Sequence, residues 1–419
     1  MTETRSRPWW ELVVGAVIVI ALLAGVGGWA LPLVLAAVVA MVALHELGHF
    51  VTAKKSGMRV NSYFIGFGPT LWSTTRGETT YGVKAFLLGG FVKIVGMTSI
   101  EEVDEADEPR SFRASTFPRR VMVASAGSAV HFILALTLAW SSLFFIGSTD
   151  PTHVGIGSFV HWDGVTANAA QQAGLRIGDR VLSVNGRDIS DPAALANIIH
   201  AAAGKELLIR VARGSSVLAL RARPVDGRHI VVKGQHLESP TLPTGHGYLG
   251  IGISEQMVGK SAWSATTGSL RLVGSTFSQS ITSLGQTFSL TGFSNLWRQV
   301  ASPEQTTAKE QASRPQSLVG VVRVAVQSAD AGIYNLLYIL MALNIFVGVI
   351  NLLPMLPLDG GHIAIAIYER IRSRRGRERY RADITKMMPV VYVFMAALMF
   401  LFLTSLYLDI AHPMGNPFK

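Results

Sequence analysis

No cysteine occurs among the 419 residues, and only 15% of them are charged. The first absence excludes disulfides and thiolate metal sites. The second sets the chain apart from soluble proteins, in which about a quarter of residues are charged. Apolar residues take up the difference: 49% of the chain is hydrophobic, in several runs long enough to cross a bilayer. Zinc-finger, helix-turn-helix and RNA-binding signatures are missing too. The formal net charge of +10 is therefore not read as a sign of a nucleic-acid partner. In a chain that contacts lipid, such an excess marks loops retained on the cytoplasmic side.

The apolar stretch from Leu12 to about Val51 is too long for one span, and Gly25, Gly27, Gly28 and Pro32 interrupt it. We read a span near 12–27, a tight turn and a second span near 30–52, together the segment 1–58. A cleavable signal peptide is the rival reading of the first piece, because Arg5 and Arg7 precede it. Residues 59–98 alternate in places, with "TRGE" as a turn, and predict a membrane-associated β-hairpin element. An acidic and basic linker at 99–120 contains "EEVDEADEP" and Arg110, Arg113, Arg119 and Arg120. A third span lies within 121–149.

Residues 150–254 have the character of a folded domain outside the membrane, with short β runs and one helix at 192–203. Asp191 is its N-cap, Pro192 suits its first turn, and Leu195, Ile198, Ile199 and Ala202 form its buried face. In 255–331, Leu270, Val273, Phe277, Ile281, Leu284 and Phe288 recur at helical steps. That amphipathic linker packs on the neighbouring domain or lies on the membrane surface. Two spans, near 333–352 and 388–408, complete 332–419, with "NLLPMLPLDGGH" after the first of them. The basic clusters place the N-terminus inside, the 150–330 region outside, and five spans between.

The second span contains "HELGH". His45 and His49, at i and i+4, project from one face of a helix, so both can reach one Zn²⁺, with Glu46 placed to act as a base on water. The bland alternative is a polar helix end near the interface. It is weakened because ionisable groups within a span are costly and usually functional. Catalytic zinc takes three protein ligands, and residues 50–62 supply no His or Glu. Asp359 is the best remaining candidate; as a helix N-cap ahead of "GGHIAIAIYERI" it has an equally good structural reading. His131 and His362 are spare imidazoles.

"HELGH", "NLLPMLPLDGG" at 351–361 and "GFGPTLW…GETTYGVKAFLLGGFVK" between them resemble the site-2 proteases. These are bacterial zinc metalloproteases that cut substrate helices within the membrane. "AAQQAGLRIGDRVLSVNGRDI" at 169–189 resembles a PDZ signature, and in detail the chain is similar to the actinobacterial form with a single PDZ domain. The resemblance covers nearly the whole chain. It implies a polytopic α-helical membrane protein with a re-entrant β-hairpin element and one extracytoplasmic PDZ domain, an α+β module. The protein would sit in the bacterial cytoplasmic membrane with its active site towards the cytoplasm.

Carried over by residue, the resemblance implies His45, His49 and Asp359 as zinc ligands and Glu46 as general base. Asn351, with Gly89, Gly90 and Phe91 of the hairpin, would contact a substrate held as an added strand. The implied partners are single-span membrane proteins, such as anti-sigma factors trimmed outside by a site-1-type protease, and the bilayer itself; no nucleic acid is implied. The PDZ groove would capture a C-terminus or serve as a size filter. Two departures stand out. "GSAVH" keeps Gly127 but has Ser128 for the family's Pro and His131 for its Asn, and Leu88 stands where Pro is usual. The competing readings are a catalytically silent membrane PDZ scaffold and a transporter with a metal site near the midplane.

Overall fold

The computed structural model describes residues 9–97, 101–160, 167–227, 245–302, 314–373 and 380–418. Arg5, Arg7 and most of the basic run near 374–379 lie outside these residues. The chain divides into two compact units, one built from residues 1–140 and 266–419, the other from 141–265.

In the first unit, α1 (Trp9–Gly27) and α2 (Ala30–Lys55) are joined by a turn at Gly28, which takes a φ of 65°. Pro32 falls in the first turn of α2, where a missing N–H costs nothing. Among the described residues, four helices are long and apolar enough to cross a membrane: Ala30–Lys55, Phe117–Ile146, Ile333–Asn351 and Ile384–Ala411. A shorter apolar stretch, Val17–Gly27, belongs to α1. Their outward faces carry large apolar side chains, for example Leu22 at 65% and Val393 at 72% exposure. Such surfaces suit lipid and would be a liability in water.

After α2 come β1 (Val60–Arg76) and β2 (Thr79–Ile94), separated by the turn at Gly77 and Glu78. The sequence predicts one hairpin; the register shows more. Residues 60–65 stand opposite 90–94 on one side, and Ser62–Ile65 also stand opposite Thr80–Val83, while 70–76 pair with 79–84. Each strand is folded over, giving four short arms in the order 70–76, 79–84, 60–65, 90–94. Glycine permits the fold: Gly66 sits at φ 92°, and a Cβ on Gly82 would strike the Phe64 ring and the Trp72 carbonyl. The arm 90–94 is an edge among the described residues.

The stretch read as a linker is packed. Phe112 is 1% exposed and joins Met58, Val60, Ile94, Val123 and Ala124 in a core beneath the sheet. Its charges are paired: Arg113 with Glu108 within the stretch, Asp107 with Arg59, and Arg110 with Glu78 of the β1–β2 turn, which Lys54 also reaches. α3 (Phe117–Ser141) follows.

The second unit is an antiparallel sheet in the order β10, β3, β4, β6, β7, with a short β5 on β4. Its strands are β3 (Ser148–Phe159), β4 (Arg180–Val184), β5 (Arg187–Asp188), β6 (Leu207–Arg213), β7 (Ser216–Ala222) and β10 (Ile251–Val258); β8 (Val225–Asp226) and β9 (Gly247–Tyr248) form a separate pair. Asn185 and Gly186 both adopt positive φ in the β4–β5 turn, as Asn-Gly hairpins do. Besides the single turn α4 (Ala169–Gln172), α5 (Pro192–His200) is capped as expected, with the Asp191 side chain accepting from Ala194 N–H at 2.7 Å. α5 ends three residues before the predicted 203, in a turn closed by Gly204 at φ 70°. Leu195 and Ile199 pack with Ile156, Val181, Ile209 and Leu249.

The remaining helices return to the first unit: α6 (Ala262–Thr287), α7 (Leu290–Ala301), α8 (Leu318–Asp330), α9 (Ile333–Asn351), α10 (Asp359–Arg372) and α11 (Met388–Ala411). Here the structure corrects the reading of α6. It packs along α3 and α9, where Leu284 meets Ala135, Ala139, Met341 and Ile345. Its buried positions include Ser269, Thr276 and Ser280, while Leu270 and Ile281 point outward. The packed side of α6 thus mixes small polar residues with Leu284, and its apolar stripe is only partly buried.

Candidate metal centre

Helical spacing puts His45 and His49 on one face of α2. Asp359 arrives from far along the chain as the first residue of α10. It is not that helix's N-cap: Leu358 occupies the cap and contributes no side-chain bond. The turn that delivers Asp359 depends on its glycines. A Cβ on Gly360 would strike the carbonyls of Leu352 and Leu353, and one on Gly361 would lie 2.6 Å from Leu356 N.

The three side chains converge. His45 Nε2 and His49 Nε2 are 3.2 Å apart; Asp359 Oδ2 lies 3.5 Å from the first and 3.2 Å from the second. Donors about 2.0–2.1 Å from one tetrahedral ion stand about 3.3 Å from each other, so the triangle has the size zinc requires. Its protonation agrees. His49 Nδ1 is 2.8 Å from the Val123 carbonyl, which can only accept, so Nδ1 holds the hydrogen and Nε2 presents a lone pair. Asp359 Oδ2 is buried without a hydrogen bond. Three electron-rich atoms facing one another call for a cation, and no other group of three or more His, Asp or Glu among the described residues has the geometry to hold one.

Close approach of backbones makes the triangle possible. A Cβ on Gly127 of α3 would strike the rings of both His45 and His49, and one on Gly48 of α2 would lie 2.8 Å from Val130 Cγ2 and 2.9 Å from the Ala126 carbonyl. α2 and α3 therefore meet through glycines, as tightly crossing membrane helices do. The sheet closes the other side. Tyr63 Oη donates to Ala43 O at 2.9 Å, the backbone of Val92 is hydrogen-bonded to Glu46, and a Cβ on Gly90 would lie 2.8 Å from Glu46 Cγ.

The other expected residues lie as follows. Asn351 ends α9 at the start of the loop that leads to Asp359. The Phe67 ring covers Gly89, and Phe91 stacks on Phe64 at 5.5 Å, turned into an aromatic stack that Lys84 overlies. His131 is 2% exposed, with its ring 5.0 Å from that of His45. His362 faces away, onto Phe112 and a cavity of about 440 Å³ that Arg120 and Glu369 also line. The sequence reading missed Gly48, the Val123 carbonyl and Asn344, whose Oδ1 is 2.9 Å from His131 Nδ1. Only Asn344 had a signal, as a polar residue within an apolar span.

Two imidazoles and a carboxylate sized for zinc, with a second carboxylate alongside and spans around them, define a membrane zinc metallopeptidase. The profile of peptidase family M50 matches residues 33–397. The zinc metalloprotease Rip1 of Mycobacterium tuberculosis is 32% identical over 410 residues, covering 90% of this chain and 96% of that protein. Rip1 of Mycolicibacterium smegmatis is 31% identical over 414 residues, with the same coverage. The chain belongs to peptidase family M50, the site-2 proteases.

Proposed function

We propose that the protein cleaves peptide bonds in or near the transmembrane helices of single-span membrane proteins. The observation that carries this reading is the triangle of His45 Nε2, His49 Nε2 and Asp359 Oδ2 with Glu46 beside it, opposite an open sheet edge. His45, His49 and Asp359 hold zinc. Bound there, zinc supplies a Lewis acid that polarises a carbonyl and makes water nucleophilic near neutral pH. Glu46 takes the proton of the attacking water and returns it to the departing amide nitrogen. The Val92 backbone fixes its carboxylate, so little reorganisation is needed.

A substrate helix must be unwound before it can be cut, and its freed backbone groups need partners in a medium without water. The arm 90–94 offers them by strand addition, with Gly89 and Gly90 at its start, and Gly90 presents no side chain to Glu46. Asn351 holds the same substrate segment from the other side. Residues 150–254 act as an extracytoplasmic PDZ domain; the edge strand β10, near α5, supports a groove of that type. It either receives the C-terminus of a trimmed substrate or turns away proteins whose outer domain is intact. The basic clusters support an active site that faces the cytoplasm. The substrates are then proteins such as anti-sigma factors, already cut outside by a site-1-type protease.

The test is co-expression of wild type or Glu46→Gln with a tagged single-span substrate lacking its outer domain. Wild type alone is expected to yield a shortened cytoplasmic fragment. The same fragment from both would refute the role of Glu46.

A further inference from the structure

We propose that the cavity beside His362 binds a phosphate group, carried by a lipid headgroup or by a free phosphate compound. The zinc triangle and Glu46 take no part in this site.

The cavity measures about 440 Å³ and lies between the turn after β2, the packed stretch before α3, the start of α3, α10 and the segment 381–385. Its volume falls among those of small-ligand pockets, about 300–1,000 Å³. The acceptors on its wall are satisfied. Glu369 Oε2 pairs with Arg120 Nη1, and Glu369 Oε1 accepts from Ala382 N–H at 2.8 Å. Asp383 Oδ1 accepts from Thr385 N–H at 3.1 Å and from the Thr385 hydroxyl.

The donors are not satisfied. Arg120 is 6% exposed and hydrogen-bonds through Nη1, while its buried Nε has no partner. The Phe112 ring, 5.2 Å away, covers one face of the guanidinium and leaves its edge to meet a ligand. His362 touches Phe112 edge-on and makes no hydrogen bond among the described residues. Arg381 uses one nitrogen, on Glu108 at 3.2 Å. A guanidinium has five N–H donors and no acceptor, and a buried donor requires a partner. The ligand that completes this wall therefore brings several acceptors and negative charge. Phosphate oxygens have both, in a geometry that the arginine fork matches.

The position of the cavity agrees. Two of the four candidate spans begin there: Phe117–Ile146 has Arg120 in its first turn, and Ile384–Ala411 starts at the wall. The cavity thus stands at the membrane surface, level with lipid phosphates. α10 turns Ile367, Tyr368 and Ile371 outward, an apolar face suited to the headgroup boundary. Because α10 begins with Asp359, a ligand that ties α10 to α3 and to the segment 381–385 braces the helix carrying a metal ligand.

The test is calorimetric titration of the full-length protein in uncharged detergent with three probes: phosphatidylglycerol, diacylglycerol with the same tails, and glycerol phosphate. One saturable site is expected for phosphatidylglycerol or glycerol phosphate, and none for diacylglycerol. Saturation by phosphatidylglycerol alone assigns the site to a lipid headgroup; saturation by glycerol phosphate assigns it to a free phosphate compound. Arg381→Gln should weaken the bound probe about tenfold, the size of one charged hydrogen bond. Arg120→Met with Glu369→Gln, which removes both charges of the buried pair, should weaken it further. Arg381 is exposed, so its variant keeps the test decisive if the paired one does not fold. Arg119→Gln removes the same charge from an exposed position off the wall and should bind as wild type does. No saturable binding would leave the wall to water and overturn the proposal. So would equal binding of diacylglycerol, wild-type affinity in Arg381→Gln, or an equal loss in Arg119→Gln, which would mark attraction to net charge alone.

Discussion

Replacing Gly127 by alanine adds one methyl group at the most crowded point of the metal centre. The new Cβ would fall against the Cε1 and Nδ1 atoms of His45 and the Nε2 of His49. Ordinary van der Waals contact needs about 3.5 Å, so the rings or the α3 backbone must retreat by about 1 Å. Metal ligation tolerates about 0.2 Å, which makes the displacement several times too large for the triangle to keep its shape. Overpacking of this kind costs about 1–3 kcal/mol. That is small enough for the bundle to survive and large enough to reach the site. Zinc affinity should fall by about 10–100-fold, the range seen when groups supporting a ligand are lost. Purified Gly127→Ala, dialysed against graded chelator and assayed for metal, should release zinc at chelator concentrations that wild type withstands. Its thermal midpoint without metal should fall by only about a few degrees, in line with that cost. Gly25→Ala, with nothing within 4 Å of its added Cβ, is the matched control. Wild-type zinc retention in Gly127→Ala would refute the close approach on which the site description depends.

Gly90→Ala directs the same perturbation at Glu46 and away from the zinc ligands. It should lower kcat by about 100-fold, the order expected for a misplacement of about 1 Å, and equal zinc content would separate it from Gly127→Ala. Glu78 is held at about 2, well below its ordinary 4.5, by hydrogen bonds from Arg110 and Lys54. A depressed carboxylate contributes stability above its unfolded value and loses it as pH falls through the folded one. The melting difference between wild type and Glu78→Gln should thus be constant from pH 7 to about 4.5 and close towards 2. Because the pair is open to solvent, the difference is worth at most about 1 kcal/mol; a gap that widens in acid would contradict the assignment. Arg314 and Asp409 form an ion pair at 2.9 Å, each side chain 3% exposed. Arg314→Met strands the carboxylate and should cost about 3–5 kcal/mol, and Arg314→Met with Asp409→Leu should recover part of it. Thermal melts of the two variants check this, and equal melting of the single variant and wild type would refute it.

Local information in the sequence determined a good deal. Four of the five expected spans were legible, because a run of about 20 apolar residues needs no partner to declare itself; the first, near 12–27, appears only as the shorter apolar stretch Val17–Gly27. The HELGH pair was legible because an i, i+4 spacing fixes a shared helix face whatever surrounds it. The cap at Asp191 and the Asn185-Gly186 turn were equally local, and both appear where expected. Other features depended on contacts between residues distant in sequence. Asp359 read equally well as a cap or a ligand until α10 was set against α2, 310 residues after His49. The predicted single hairpin became four arms because register is decided by which edges meet, and alternation specifies only faces. The apolar stripe of α6 read equally as packing on a neighbour or lying on a membrane surface; only contact with α3 and α9 decided that Leu284 is buried while Leu270 and Ile281 are exposed. Gly127 could be read only as a matched letter in a motif. Its role, keeping space for two imidazoles from another helix, exists only where α2 and α3 touch. Sequence alone therefore determined what is written within one or two turns of chain. Tertiary structure decided everything that depends on two distant segments occupying neighbouring space, because no local periodicity encodes a distance between them.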